Sequence, residues 1–148
     1  MIREVTANDK NDVIRLMDEF YHLPAVLHPV NPKNFEKTFE CAINNSPYVK
    51  ILVSEDNGII AGYCQLSISY SNEAGGLNVF IEELMVSEEF RNKKIGSQFL
   101  EYVFNNYKDA KRFRLEVTKE NTGAIKLYKK LGFENLDYLQ MILDKKED

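Results

Sequence analysis

One stretch constrains this chain more than any other. Phe80, Ile81, Glu82, Glu83, Leu84, Met85 and Val86 run through Ser87, Glu88, Glu89 and Phe90 into Arg91, Asn92, Lys93, Lys94, Ile95, Gly96 and Ser97. The first seven have the composition of a strand, yet two carboxylates stand side by side within it. Side chains of a strand alternate between faces, so if helices cover both faces of the sheet, at least one of Glu82 and Glu83 lies in or near the interior. Burying an ionised carboxylate costs several kcal/mol unless it is paired or opens onto a wet cleft. An exposed edge, a structural ion pair, or a general base whose pKa is raised by partial desolvation would each satisfy that constraint.

The turn that follows carries Arg91, Lys93 and Lys94 and opens a helix marked by Ile95, Phe99, Leu100 and Val103. Free NH groups at a helix start, the macrodipole and nearby cations together make an anion site. A solvated basic turn with no ligand is the competing reading of these residues alone. Neither the phosphate-loop pattern ending in Gly-Lys-Ser/Thr nor the dinucleotide Gly-x-Gly-x-x-Gly is present.

Around this segment the periodicity predicts the order strand, helix, helix, three strands, helix, strand, helix, strand. Residues 2–5 read as a strand, and Thr6 or Asn8 caps a helix bearing Val13, Ile14, Met17, Phe20 and Tyr21. Residues 23–32 hold three of the four prolines and form an irregular connection; Asn31 and Pro32 then start a helix to about Ile43. Residues 48–53 and 59–70 read as antiparallel strands joined at Asp56-Asn57-Gly58, and residues 77–86 as the third. Further strands are expected over 113–118 and 138–143, with a helix from Asn121 to Gly132 between them. The expected class is a mixed α/β sheet, mostly antiparallel, with helices on both faces, forming one domain over residues 1–148.

The net charge of −4 argues against a nucleic-acid partner, which needs clustered cations to neutralise phosphates. No apolar run approaches the length of a membrane span, and the start of the chain lacks the marks of a leader, so no membrane partner and a cytoplasmic location are expected. Cys41 and Cys64 read as small buried hydrophobes. Cys64 as a nucleophile lacks a histidine in a recognisable partner motif. His22 and His28 read as packing or acceptor-pocket residues, and no metal site is expected.

A second segment adds specificity: Asn121, Ala124, Leu127, Tyr128, Lys130, Gly132 and Phe133. With the turn at Arg91 and Gly96, it resembles the GNAT superfamily of acyl-CoA-dependent N-acetyltransferases. The later helix of that family commonly reads Asn-x-x-Ala-x-x-Leu-Tyr-x-Lys-x-Gly-Phe, and its cofactor motif reads Arg/Gln-x-x-Gly-x-Gly/Ala. Lys94 stands where the first motif glycine is usual. The order of elements is similar over nearly the whole chain.

The resemblance implies acetyl-CoA as cosubstrate and a primary amine as acceptor, attacked directly without a covalent enzyme intermediate. It implies a pantetheine arm between two splayed strands at Leu84 and Val86, and a pyrophosphate on backbone NH groups of Arg91, Asn92, Lys93, Lys94, Ile95, Gly96 and Ser97. Asn121 matches a position contacting pantetheine, beside Ala124, Leu127 and Lys130. Tyr128 matches the residue proposed to protonate the departing thiolate, and Glu82 the carboxylate that deprotonates the amine through water, with Glu83 second. A backbone NH near Leu84 or Met85 would polarise the carbonyl. Lys94 is expected to be tolerated because a first-turn helical backbone suits lysine. The 23–34 connection and the 71–76 loop would flank the acceptor, with Glu73, Glu82 and Glu83 favouring a cationic amine such as a polyamine, an aminoglycoside-like compound or a lysine side chain. Edge strands in such folds pair between subunits, so a homodimer is compatible. The alternative is a non-catalytic CoA-sensing or protein-interaction module of the same fold.

Overall fold

The computed structural model describes residues 1–24 and 26–146. Two compact units divide at Glu116: Met1–Glu116 and Val117–Asp148. In the first, β1 (Ile2–Glu4) leads into α1 (Lys10–Phe20) and α2 (Lys33–Ile43). There follow β2 (Val49–Asp56), β3 (Ile59–Ser71), β4 (Gly76–Val86), α3 (Ile95–Asn106) and β5 (Arg112–Leu115). The strands form one sheet in the order β1-β2-β3-β4-β5, every pair antiparallel except the parallel β4 and β5. The expected mixed, mostly antiparallel architecture is what the chain adopts.

Local chemistry accounts for the elements. Asn57 and Gly58 take φ of 51° and 79°, the positive values a two-residue hairpin turn requires, and they set the β2–β3 register. The Asp9 carboxylate accepts from the Thr6 NH at 2.8 Å and from the Thr6 hydroxyl at 3.1 Å, anchoring the turn before α1. It also receives both terminal nitrogens of Arg3, at 2.8 and 3.0 Å, which ties β1 to the start of α1. Asn31 accepts from the Lys33 NH at 3.0 Å where α2 begins.

Alternation divides the sheet into two faces. Ile51, Val53, Tyr63 and Met85 pack with Val13, Leu16 and Met17 of α1 and Phe35 and Phe39 of α2. Each such side chain, fully buried, contributes about 1.5–3 kcal/mol of transfer free energy. Leu52, Cys64 and Leu66, one residue out of phase, point to the other face. There α3 buries Ile95, Phe99, Leu100 and Val103, and Leu84 lies 3.7 Å from where a Cβ on Gly96 would be. The helices thus cover both faces.

The second unit contains α4 (Thr122–Lys130). Asn121 caps it, its side chain accepting from the Ala124 NH at 3.3 Å. Its end is a left-handed Gly132 (φ 99°), with the Phe133 NH bonded to the Tyr128 carbonyl and the Gly132 NH to that of Lys129, the double bond pattern of a glycine-terminated helix. Residues 138–143, expected as a strand, take no strand assignment within the second unit. The strand expected over 113–118 is confined to Arg112–Leu115.

Candidate active site

β4 carries the site of the first unit. Its ladder with β5 runs from Asn78–Arg112 to Ile81–Leu115 and ends there. Residues 83–86 remain paired with β3 on one side and have no β5 partner on the other. β5 itself ends at Leu115, so Leu84, Met85 and Val86 lie beyond its ladder.

At the same point β4 bulges. Gln65 pairs with Glu83 and Leu66 with Ile81, so Glu82 is the extra residue. A bulge re-aims side chains, and this one overturns the expected alternation of the two carboxylates. Tyr63 and Ser67 share one face of β3. The Tyr63 hydroxyl donates to Glu83 Oε1 at 2.7 Å, and the Ser67 hydroxyl donates to Glu82 Oε1 at 2.8 Å. Glu82 and Glu83 consequently lie on the same face, the one that α1 and α2 cover.

Their environments differ. Glu82 is exposed, whereas Glu83 is half-buried and receives a second, short hydrogen bond from the Tyr21 hydroxyl. Burial pushes the Glu83 carboxyl above the usual carboxylate range; the two phenols pull it back, and the neighbouring Glu82 charge pushes it up again. Both phenols are held above their ordinary value, by burial first and then by Glu83, and so stay protonated. Among the described residues no Lys, Arg or His forms an ion pair with either carboxylate. Glu73, expected to add to this acidity, is instead bound to Arg112 at 2.9 Å.

After β4, Ser87 begins a single turn over Glu88–Phe90. Arg91 turns its side chain back to the Val86 carbonyl at 3.2 Å, and the Lys93 ammonium sits 5.2 Å from the centre of the Phe90 ring. Asn92 and Lys94 both adopt left-handed backbone, φ 64° and 62°. The expected reason for tolerating lysine at 94 therefore fails. Lys94 is the residue before the first turn of α3, not a member of it, and its conformation is one that favours glycine. It provides no side-chain cap, so the first NH groups of α3, on Ile95, Gly96 and Ser97, have no partner within the helix. That donor set suits a phosphate or diphosphate. Gly96 has no close neighbour that excludes a Cβ.

The remaining sequence candidates lie in the second unit. Tyr128 is half-buried on α4 and meets Phe133 edge-on at 5.8 Å. Ala124 and Leu127 are half-buried beside it in the helix, and Asn121 and Lys130 are exposed.

Cys64 is buried, as expected, and burial pushes its thiol up to about 12, which suppresses the thiolate a nucleophile needs. Cys41 departs from expectation in being exposed. His22 is exposed, with Nδ1 2.7 Å from the Asp18 carbonyl. Among the described residues no cluster of three metal-ligating side chains occurs. His22 and Leu23, at the start of the proline-rich connection, line an open cleft with Met85 and Arg91 at the end of β4. Tyr21 and Tyr63 escaped the sequence reading. Both look like core aromatics at regular spacing, and only the demand of a half-buried carboxylate for donors hints at them.

The description "Acetyltransferase (GNAT) family" matches residues 11–133. Thialysine N-epsilon-acetyltransferase of Mus musculus is 28% identical over 146 residues, covering 91% of this chain and 84% of that protein. The fold is shared with a possible acetyltransferase from Clostridium difficile 630, at TM-score 0.82 and 18% identity, covering 99% of this chain and 98% of the other. It is also shared with aminoglycoside N-acetyltransferase AAC(6')-Iy in complex with CoA, at TM-score 0.78 and 19% identity, covering 99% and 95%.

Proposed function

This chain belongs to the GNAT family of acetyltransferases, and from that premise we propose that it transfers the acetyl group of acetyl-CoA to a primary amine on a cationic acceptor. The observation that carries the reading is a β4 that runs on from the end of its β5 ladder at Ile81–Leu115 to Val86 and leads into a turn and helix start whose NH groups suit a diphosphate. The backbone of Leu84, Met85 and Val86, on the side away from β3, hydrogen-bonds a pantetheine arm, while Arg91, Asn92, Lys93, Lys94, Ile95, Gly96 and Ser97 hold the diphosphate. Asn121, Ala124, Leu127 and Lys130 complete the binding set. The two compact units act as one domain, a reading supported by the continuity of the family match across both.

The amine nitrogen attacks the thioester carbonyl; the carbon–nitrogen bond forms and the carbon–sulfur bond breaks. Proximity supplies much of the acceleration, and a backbone NH at Leu84 or Met85 polarises the carbonyl oxygen. A proton leaves the amine for a carboxylate of the β4 bulge. Glu82 is reached through water, consistent with its exposure, and Glu83 is the second carboxylate on the same face. Tyr128 protonates the thiolate and recovers its proton from solvent.

Two carboxylates without a protein cation favour a positively charged acceptor, and amine-bearing acceptors are named for the relatives: thialysine in one, an aminoglycoside in another. A cytoplasmic location and a pairing of two copies accompany this reading as expectations, checked by cell fractionation and sedimentation.

CoA-thiol release from acetyl-CoA, measured against polyamines, aminoglycosides, amino acids and basic peptides, tests it. Release with at least one cationic amine is expected. Stabilisation by acetyl-CoA with no release across the panel would point to the CoA-sensing module instead.

A further inference from the structure

The Glu83 carboxylate is gripped from two elements. Tyr21, the residue that closes α1, donates to Oε2, and Tyr63, from the middle of β3, donates to Oε1. Neither phenol is loose. Tyr21 stacks on Phe35 of α2 with ring centres 5.6 Å apart and meets Phe20 edge-on at 5.1 Å, and Phe20 meets Tyr63 at 6.4 Å. Glu82, by contrast, is exposed and accepts one hydrogen bond, from the Ser67 hydroxyl.

We infer that Tyr21 and Tyr63 are positioning residues that hold Glu83 as the first acceptor of the amine proton, with Glu82 passing that proton on to solvent. The inference rests on the acetyltransferase reading and deepens it, reversing the order of the two carboxylates given there. One N–H bond of the acceptor's ammonium group breaks, its proton moves to a Glu83 oxygen, and the electron pair left on the neutral amine forms the bond to the acetyl carbon; the second proton, shed by nitrogen as the carbon–sulfur bond breaks, goes to solvent water. The bulge matters because it puts both carboxylates on one face, so that the proton has a path from the half-buried group to the exposed one. The two phenols matter because each donates to a different oxygen, which fixes the plane of the carboxylate and favours its ionised form in a site where burial works against charge.

The titratable groups facing Glu83 are Tyr21 from α1, Tyr63 from β3 and Glu82 from β4 itself; α2 contributes the ring of Phe35 behind Tyr21. The phenols favour the ionised form, so loss of either hydroxyl raises the Glu83 pKa further. A base works only when ionised. The acid limb of activity therefore moves to higher pH when a phenol is removed, a change that a purely structural role for the tyrosine would not produce.

The test is the pH profile of kcat for wild type, Tyr21→Phe, Tyr63→Phe, Glu82→Gln and Glu83→Gln. It uses saturating acetyl-CoA and saturating amounts of whichever panel amine gives the fastest thiol release. Using kcat removes the ionisation of the free amine from the profile. Stabilisation by acetyl-CoA reports that each variant is folded, and if Tyr63→Phe fails that check, Tyr21→Phe carries the test. Expected are an acid limb displaced upward in the phenylalanine variants, a loss of about 100-fold in Glu83→Gln, and a smaller loss in Glu82→Gln. An unmoved limb in the folded phenylalanine variants, or a larger loss in Glu82→Gln than in Glu83→Gln, overturns the inference while leaving the acetyltransferase reading intact. A wild type that releases no thiol with any amine overturns both.

Discussion

Gly62 on β3 and Met85 on β4 approach so closely that a Cβ built on Gly62 would lie 2.3 Å from the Met85 carbonyl oxygen. That oxygen is backbone and cannot swing aside as a flexible side chain would. Gly62→Ala must therefore push the strands apart beside the bulge, at a cost of about 1–3 kcal/mol. A thermal melt should show the midpoint lowered by roughly 5 °C. An unchanged midpoint would mean that β4 has room to retreat.

Lys94 occupies left-handed backbone at φ 62°, which costs an L-residue about 1–2 kcal/mol. Lys94→Gly relieves that strain but loosens the unfolded chain by about 0.4–1 kcal/mol. Stability should be unchanged or up to about 1 kcal/mol higher, and acetyl-CoA should bind at least as tightly. Lys94→Ala keeps the strain while losing the charge, so titration calorimetry on the two variants separates conformation from electrostatics. Weaker acetyl-CoA binding in Lys94→Gly alone would assign the lysine a contact of its own.

Tyr128→Phe removes the proposed acid and retains the ring that packs on Phe133. Turnover should fall by about 100-fold, with the acetyl-CoA dissociation constant changed less than about threefold. Equal turnover in the two proteins removes Tyr128 from the chemistry.

Asp9 joins β1 to α1 through Arg3, whose hydrogen bonds hold its carboxyl below the usual range against the opposing effect of burial. A depressed carboxylate contributes stability at pH values above its unfolded pKa and loses that contribution as pH falls through the folded one. Asp9→Asn should cost about 1.5–3 kcal/mol at neutral pH, and the gap to wild type should close below about pH 4. Urea melts at a series of pH values check both size and slope; a gap independent of pH would mean that the carboxylate charge is not what binds Arg3.

Much of this was legible in the residues because the signals were local. Asn57-Gly58 announces a turn wherever it falls, Asn121 caps the helix it precedes, and Gly132 closes it. The strand, turn and helix around Arg91 follow from a change of period within a few residues. What escaped depends on partners distant in sequence. The face that Glu82 takes is decided by a bulge against Gln65 and Leu66, and alternation along one strand carries no record of that. Tyr21 finds Glu83 across 62 positions. Lys94 misled for another reason: lysine is a good helix former, but the position before a first turn obeys the geometry of the loop.

The bulge has a bearing on how the protein survives in a crowded solution. A strand half without a neighbour offers bare amides and carbonyls to any passing chain, the usual beginning of edge-to-edge association. Here the length of β4 beyond its β5 ladder is short, bent by an extra residue, and set beside two negative charges on one face. Such an edge is a poor template for a straight foreign strand, so the irregularity that gathers two carboxylates on one face also guards the strand against clumping.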